Sequence, residues 1–180
     1  MIEAIAAVDE NYGIGFKGEL LESIPDDLKH FKELTSGNVV IMGKNTWDSL
    51  PIKPLPGRVN FVITREPKEI SPAATFFMTL EQAKQWLESV TEMNNKDFYT
   101  PIKIFIIGGG FIFKELLPYC DKIHLTKIYK KYEQVDTYFP IIDETRVWKI
   151  TDIGSLQSYN KTINDKSKNV FYRFLTYEKI

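Results

Sequence analysis

The chain has 180 residues, 43% hydrophobic and 13% aromatic, enough for one sizeable core at the length of a single domain. Its 23 lysines and arginines balance 24 aspartates and glutamates, so the net charge of -1 gives no whole-molecule argument for nucleic acid or an anionic membrane, and an anionic ligand must be held locally. The one cysteine, Cys120 in "LLPYCDKI", excludes an internal disulfide, fits a reducing compartment and reads as a semi-buried structural thiol.

The opening "MIEAIAAVDE" has no basic region, and no apolar run nears the ~18 residues of a membrane span, so a cytoplasmic protein is expected. Ile2–Val8 within it reads as a buried strand. In the loop that follows, Gly13, Gly15 and Gly18 formally match a dinucleotide-binding G-x-G-x-x-G. The context does not fit, because no helix opens inside the motif and the next strand ends without an acid; these glycines are expected to be hinges of a mobile loop. A helix is predicted from Pro25 to Thr35, with Ser23 as N-cap, Asp26 three positions on in a weak capping box, and Pro25 tolerated in the first turn. That gives Asp26 a structural task. Asp27 falls with Phe31 and Leu34 at i, i+4 and i+7, which puts a carboxylate on an apolar stripe; capping, solvation and chemistry all stay open to it on spacing alone.

Next come a strand at "NVVIMG", a short helix "KNTWDSL" and the breaker "PIKPLPG". They lead to strands "VNFVIT" and, more weakly, "TFFM", and to a helix "LEQAKQWLESV". The polar segment "TEMNNKDFYTP" is a surface connection into the strongest strand, "IKIFIIGGG", which runs into the helix "FIFKELLPY" and the strand "KIHLTKIY". Finally "VWKITDIGSLQSY" and "NVFYRFLTYEKI" flank the polar turn "NKTINDKSK" as an antiparallel hairpin. The fold class is α/β: a mostly parallel central sheet with an antiparallel C-terminal hairpin, flanked by helices, in one domain over residues 1–180.

Three predicted strand ends are rich in donors. Gly108-Gly109-Gly110 ends a strand and opens a helix, where backbone N–H groups and the helix dipole favour an anion; a plain tight turn is the competing reading. Gly43, Lys44 and Thr46 follow a second strand, and Thr64-Arg65 a third. In a parallel sheet all three lie along one carboxyl edge, where α/β ligands bind. Their shared placement indicates a long phosphorylated ligand, and Arg65 without an acidic ribose partner points to a 2′-phosphate, hence NADPH rather than NADH. His30 and His124 have no ligand-spaced companions, so no metal is expected. There is no serine or cysteine nucleophile motif, which leaves Asp27 as the candidate acid.

Taken in order, "IAAV", "GIG", "IPDDLKHFK", "VIMGKNTWDSLP", "PLPGR", "VITR", "IIGGG", "LTKI" and "DTYFP" resemble dihydrofolate reductase over essentially the whole chain. The resemblance implies reduction of dihydrofolate by NADPH; nothing in the sequence demands an oligomer, so a monomer is expected. It implies that Asp27 holds the 2-amino group and adjacent nitrogen of the pterin, supported by Thr126. Ile5, Ala7 and Ile107 would border the pterin, Leu28, Phe31 and Leu50 would pack on the ring and benzoyl group, and Arg58 would pair with the glutamate α-carboxylate. Ala7, Ile14, Gly43, Lys44, Thr46, Thr64, Arg65, Gly108, Gly109, Gly110 and Phe113 would meet NADPH, and the Gly15–Glu22 loop would fold over the site. Four positions depart from the family's usual residues: Glu22 replaces a Trp, Phe113 a Tyr, Lys44 a frequent Arg, and Phe111 a possible phosphate-binding Arg. Glu22 is expected to be a solvated loop residue, against an inward placement that would couple it to Asp27. Two other readings stand beside this one: a different NADPH reductase on the same fold, such as those of riboflavin synthesis, and a folate- or nucleotide-binding protein without catalysis.

Overall fold

The structure, a computed structural model, describes residues 1–67, 72–94, 102–163 and 166–180. In chain order its first half holds strands β1 (Ile2–Val8), β2 (Gly13–Phe16) and β3 (Glu19–Leu20), helix α1 (Pro25–Thr35), strand β4 (Val39–Gly43), helix α2 (Lys44–Ser49) and strands β5 (Val59–Ile63) and β6 (Thr75–Met78). The second half holds α3 (Leu80–Asn94), β7 (Ile104–Gly108), α4 (Gly110–Leu116), β8 (Lys122–Ile128), β9 (Thr137–Tyr138), β10 (Trp148–Ile153), β11 (Gln157–Ile163) and β12 (Lys166–Lys179). Residues 95–101 of the predicted surface connection and 164–165 of the predicted polar turn lie outside the described residues.

The main sheet runs β10-β12-β8-β1-β7-β4-β5-β6, with β11 also on β12. From β8 through β6 every neighbouring pair is parallel; β12 is antiparallel to β8, β10 and β11. This is the α/β arrangement expected from the strand and helix alternation. The period-two alternation of β1 divides the core. Ile2, Ala4 and Val8 join one cluster with α3 and α4 residues such as Leu87, Phe113 and Leu116. Ile5 faces the other side, where Phe31 and Leu34 of α1 and Trp47 of α2 pack. Cys120 is fully buried rather than semi-buried, and burial pushes its thiol pKa up, as a structural cysteine requires.

The C-terminal hairpin is more divided than expected. The segment read as one strand, Val147–Tyr159, breaks around Gly154, where a Cβ would come within 3.1 Å of the Phe174 carbonyl oxygen. β10 consequently pairs the C-terminal half of the 14-residue β12 and β11 its N-terminal half. β11 is thereby brought towards the start of α1, for Tyr159 packs in the same cluster as Ile24.

Candidate active site

α1 begins at Pro25, whose missing donor is harmless at a helix start, and carries Asp26 and Asp27 in its first turn. The expected cap is corrected. Ile24 takes the N-cap position with no side-chain cap bond, and Ser23 is exposed. Asp26 instead accepts a hydrogen bond at 2.8 Å from the hydroxyl of Tyr172, a fully buried β12 residue whose pKa is pushed up to about 12 by burial and by that carboxylate.

Asp27 turns towards the sheet. Its Oδ1 accepts a hydrogen bond at 2.5 Å from Oγ1 of Thr126, which β8 places beside Ala7 of β1. Among the described residues neither a lysine nor an arginine pairs with it. Burial therefore raises its pKa, and the single hydroxyl donor offsets that only in part. Beside it, Phe31, Leu50 and Ile107 are partly buried on the cluster that contains Ile5, leaving apolar surface along one flank of α1. Ala7 borders the neighbouring cluster with Ile24 and Tyr172, and Leu28 is 44% exposed at the rim.

At the far end of α1 lies Arg58, only 7% exposed. Its Nη1 donates to Thr35 Oγ1 at 3.0 Å, its Nε to the Pro56 carbonyl at 3.0 Å, and its guanidinium sits 5.7 Å from the Phe31 ring centroid. No carboxylate among the described residues pairs with it, and burial lowers its pKa. The eight steps along the helix from Asp27 to Thr35 correspond to about 12 Å. A half-buried carboxyl and a buried guanidinium, neither with a counter-charge among the described residues, thus stand at opposite ends of α1, with the apolar side chain of Phe31 on the same helix between them.

A second region lies along the carboxyl edge of the sheet. Register pairs Gly43 with Ile63 and Met42 with Gly108, so the ends of β7, β4 and β5 stand abreast. Gly108 has φ +127° and joins Gly109 by a cis peptide bond. Cβ atoms at these two positions would stand 3.6 and 3.4 Å from Thr46 Oγ1, so side chains there would fill the gap between the loop and α2. Lys44 pairs with Asp48, Thr64 follows β5, and Arg65 is exposed. Phe113 is 2% exposed and packs on Phe139 at 4.7 Å, so it lies in the core, with its ring edge towards Gly108. Donors and side-chain-free backbone along one edge suit a nucleotide with several phosphates. Among the described residues no cluster suited to a metal ion occurs.

Between the two regions lies a small sheet, β3-β2-β9, that the sequence reading missed. The expected hinges are corrected here. A Cβ on Gly13 would stand 2.8 Å from Val135 Cγ1 and one on Gly15 2.9 Å from the Glu19 carbonyl, so these glycines serve close packing. The chain reverses at Lys17 and Gly18, with φ +50° and +83°, as a two-residue hairpin turn demands. Gly18 supplied the legible signal for that hairpin. Ile14 on β2 packs against the main core.

Glu22 is also corrected. It is 4% exposed, its Oε1 accepts from Lys161 Nζ at 2.6 Å, and its Oε2 accepts from the Tyr132 hydroxyl at 2.6 Å. Burial alone would raise its pKa, but those bonds outweigh it and the pKa is lowered. Glu22 is thus neither solvated nor held protonated by Asp27.

A family model described as dihydrofolate reductase matches residues 1–179. The chain belongs to this family. It is 34% identical to the dihydrofolate reductase of Bacillus subtilis over 99% of this chain and 95% of that one. The Mycobacterium leprae dihydrofolate reductase is 34% identical over 83% of this chain and 91% of its own length. A solved structure, dihydrofolate reductase from Enterococcus faecalis complexed with NADP(H) and RAB-propyl, superimposes with TM-score 0.72 at 31% identity, covering 99% of this chain and 96% of that one. The enzyme is an oxidoreductase that reduces 7,8-dihydrofolate to 5,6,7,8-tetrahydrofolate with NADPH.

Proposed function

We propose that Asp27 and Arg58 are the two poles of the dihydrofolate site, the first for the pterin and the second for the glutamate α-carboxylate. The observation that carries this reading is the pair of desolvated groups without a counter-charge at opposite ends of the apolar flank of α1. A buried charge without a partner is costly, so a ligand offering an amidine-like head, an aromatic middle and a carboxylate tail satisfies both ends at once. Ile5, Ala7 and Ile107 border the head, while Leu28, Phe31 and Leu50 cover the ring and benzoyl group. Thr126 fixes the carboxylate that the head meets.

NADPH, when bound, supplies the hydride. Its residues in this chain are Gly43, Lys44, Thr46, Thr64, Arg65 and Gly108 to Gly110, with Ala7, Ile14 and Phe113 beside the nicotinamide; Arg65 meets the 2′-phosphate. Asp27 accepts hydrogen bonds from the 2-amino group and adjacent nitrogen, holds the ring in place and favours its protonation. A carboxyl with a raised pKa is suited to that exchange near neutral pH. The β2–β3 hairpin excludes water from the site.

Residues 1–180 act as one domain and as a monomer in the cytoplasm, without a nucleic-acid or membrane partner. A balanced charge and a buried, unpaired cysteine support this, and among the described residues no helix is long and apolar enough to cross a membrane. The test of the two-pole reading is Arg58→Leu. It is expected to raise KM for dihydrofolate while largely sparing kcat, because a remote ion pair contributes uniform binding. Wild type and variant should handle a dihydropterin without the glutamate tail alike; a strong preference between them would remove Arg58 from the tail site.

A further inference from the structure

Glu22 lies two residues ahead of the α1 N-cap, at the joint between the β2–β3 hairpin and the helix that carries Asp27. Its partners come from distant parts of the chain. Lys161 belongs to β11, Tyr132 follows β8, and Lys130 Nζ stands 3.7 Å from Oε2. Tyr132 extends the connection, donating its backbone N–H to Asp9 Oδ2 at 3.2 Å, while Asp9 Oδ1 accepts the N–H groups of Asn11 and Gly13 at 2.8 Å each. The hairpin is held at its other side by Asp136, whose carboxylate accepts the Lys17 N–H at 2.8 Å. The joint is therefore fixed from both ends, and the Glu22 end rests on charge.

We propose that Glu22 is a positioning residue, an ion-pair latch closed by Lys161 that holds the hairpin-to-helix joint leading into Asp27 and thereby sets the affinity for dihydrofolate. This rests on the placement of the pterin at Asp27. The latch is asymmetric. The Glu22 side chain is 1% exposed and that of Lys161 38%. Removal of the lysine strands a buried carboxylate with a tyrosine hydroxyl and a longer contact to Lys130, whereas removal of the glutamate charge leaves a lysine that water can solvate. The joint leads into the helix bearing Asp27 and is remote in sequence from the Gly43–Thr46, Thr64–Arg65 and Gly108–Gly110 strand ends. Ile14 on β2 stands beside the nicotinamide, so NADPH binding feels the latch too, but less than dihydrofolate binding, because the joint runs directly into the helix that carries Asp27.

The experiment measures KM and kcat for both substrates in wild type, Glu22→Gln, Lys161→Met, the double variant and Lys161→Arg, with the thermal midpoint of each. Lys161→Met is expected to raise KM for dihydrofolate about tenfold and Glu22→Gln about threefold, with the double variant matching Glu22→Gln because contacting residues are not additive. Lys161→Arg restores near wild-type values, and KM for NADPH moves less than KM for dihydrofolate throughout. Raising KCl from about 0.05 M to about 1 M cuts the screening length to about 3 Å, so KM for dihydrofolate should climb more steeply in wild type than in the double variant. A double variant at the product of the single effects, or equal losses for both substrates, overturns the latch. If Lys161→Met does not fold, Glu22→Gln takes the place of the double variant in the salt series, and equal slopes for it and wild type overturn the latch. Asp27→Asn, assayed alongside, separates the two failures: wild-type activity there means that the pterin placement is wrong, while a large loss there with no Glu22–Lys161 coupling sinks the latch alone.

Discussion

Glu22, buried, and Asp27, half-buried, are carboxylates five residues apart at the same helix entrance, yet their surroundings are opposite. Glu22 receives a lysine and a tyrosine hydroxyl at 2.6 Å each, and these outweigh the desolvation that would raise its pKa. Asp27 receives one threonine hydroxyl, and desolvation prevails. Glu3, fully buried on β1, repeats the Glu22 pattern, with His124 Nε2 at 2.6 Å and Lys103 Nζ at 3.0 Å; these outweigh burial and lower its pKa. An acid that the fold compensates internally contributes to the fold. An acid that the fold buries and leaves uncompensated has its partner in the ligand.

The sharpest way to break this contrast is Asp27→Asn, which keeps the shape of the side chain and removes its charge. Hydride-transfer activity near neutral pH is expected to fall at least about a hundredfold, the scale of general acid–base assistance. A loss below fivefold would remove Asp27 from the catalytic role. The companion substitution is Glu3→Gln, at the other end of β1 from Ala7. It should leave kcat/KM close to wild type and lower stability by about 2 kcal/mol, or about 4–8 °C in the unfolding midpoint. The pH dependence carries a definite sign. Because the folded state lowers the Glu3 pKa, its stabilisation is complete above the ordinary glutamate value and disappears as pH falls through the lowered one. Melting curves of wild type and variant should accordingly converge in acid; a constant gap would mean that packing, not charge, holds Glu3.

Much of this was legible in the residues themselves, for reasons that differ from place to place. Period-two and helical patterns are local, so β1, β4, β5, β7 and α1 fall where "IEAIAAV", "NVVIMG", "VNFVIT", "IKIFIIGGG" and "PDDLKHFK" place them. α3 continues to Asn94, a turn beyond the expected Val90, because its last residues follow no clear apolar stripe. Asp27 stood out as a charge on such a stripe, and the alignment of Gly43, Thr64 and Gly108 follows once the sheet is parallel. Partners across the chain were not legible. Glu22 lies 139 residues from Lys161 and Asp26 lies 146 from Tyr172, and neither residue type nor spacing names such a pair. The cap failed for the same reason: Ser23 offered a local solution at α1, but the burial of Ile24 with Ile128 and Val170 set the backbone there. Thr35, which positions Arg58, reads in the sequence as an ordinary helix-terminal threonine.

The smallest expected effect tests the contrast most directly, for it asks whether the charge on Asp27 costs the free enzyme stability. Folding raises the pKa of this group, so the folded state binds its proton more tightly than the unfolded chain does. Stability then declines as pH rises from the ordinary aspartate value through the raised one, and the full penalty persists above it. Asparagine carries no such penalty. Ligand-free Asp27→Asn should therefore melt about 2–4 °C above wild type at pH 7, the shift that about 1 kcal/mol produces in a chain of this size, and the difference should close in acid. Saturating folate should reverse the order, since the ligand supplies the counter-charge in wild type and finds only an amide in the variant. If ligand-free Asp27→Asn melts below wild type at neutral pH, the bond from Thr126 stabilises the carboxylate by more than its burial costs, and Asp27 belongs with Glu3 and Glu22 among the acids that the fold itself satisfies.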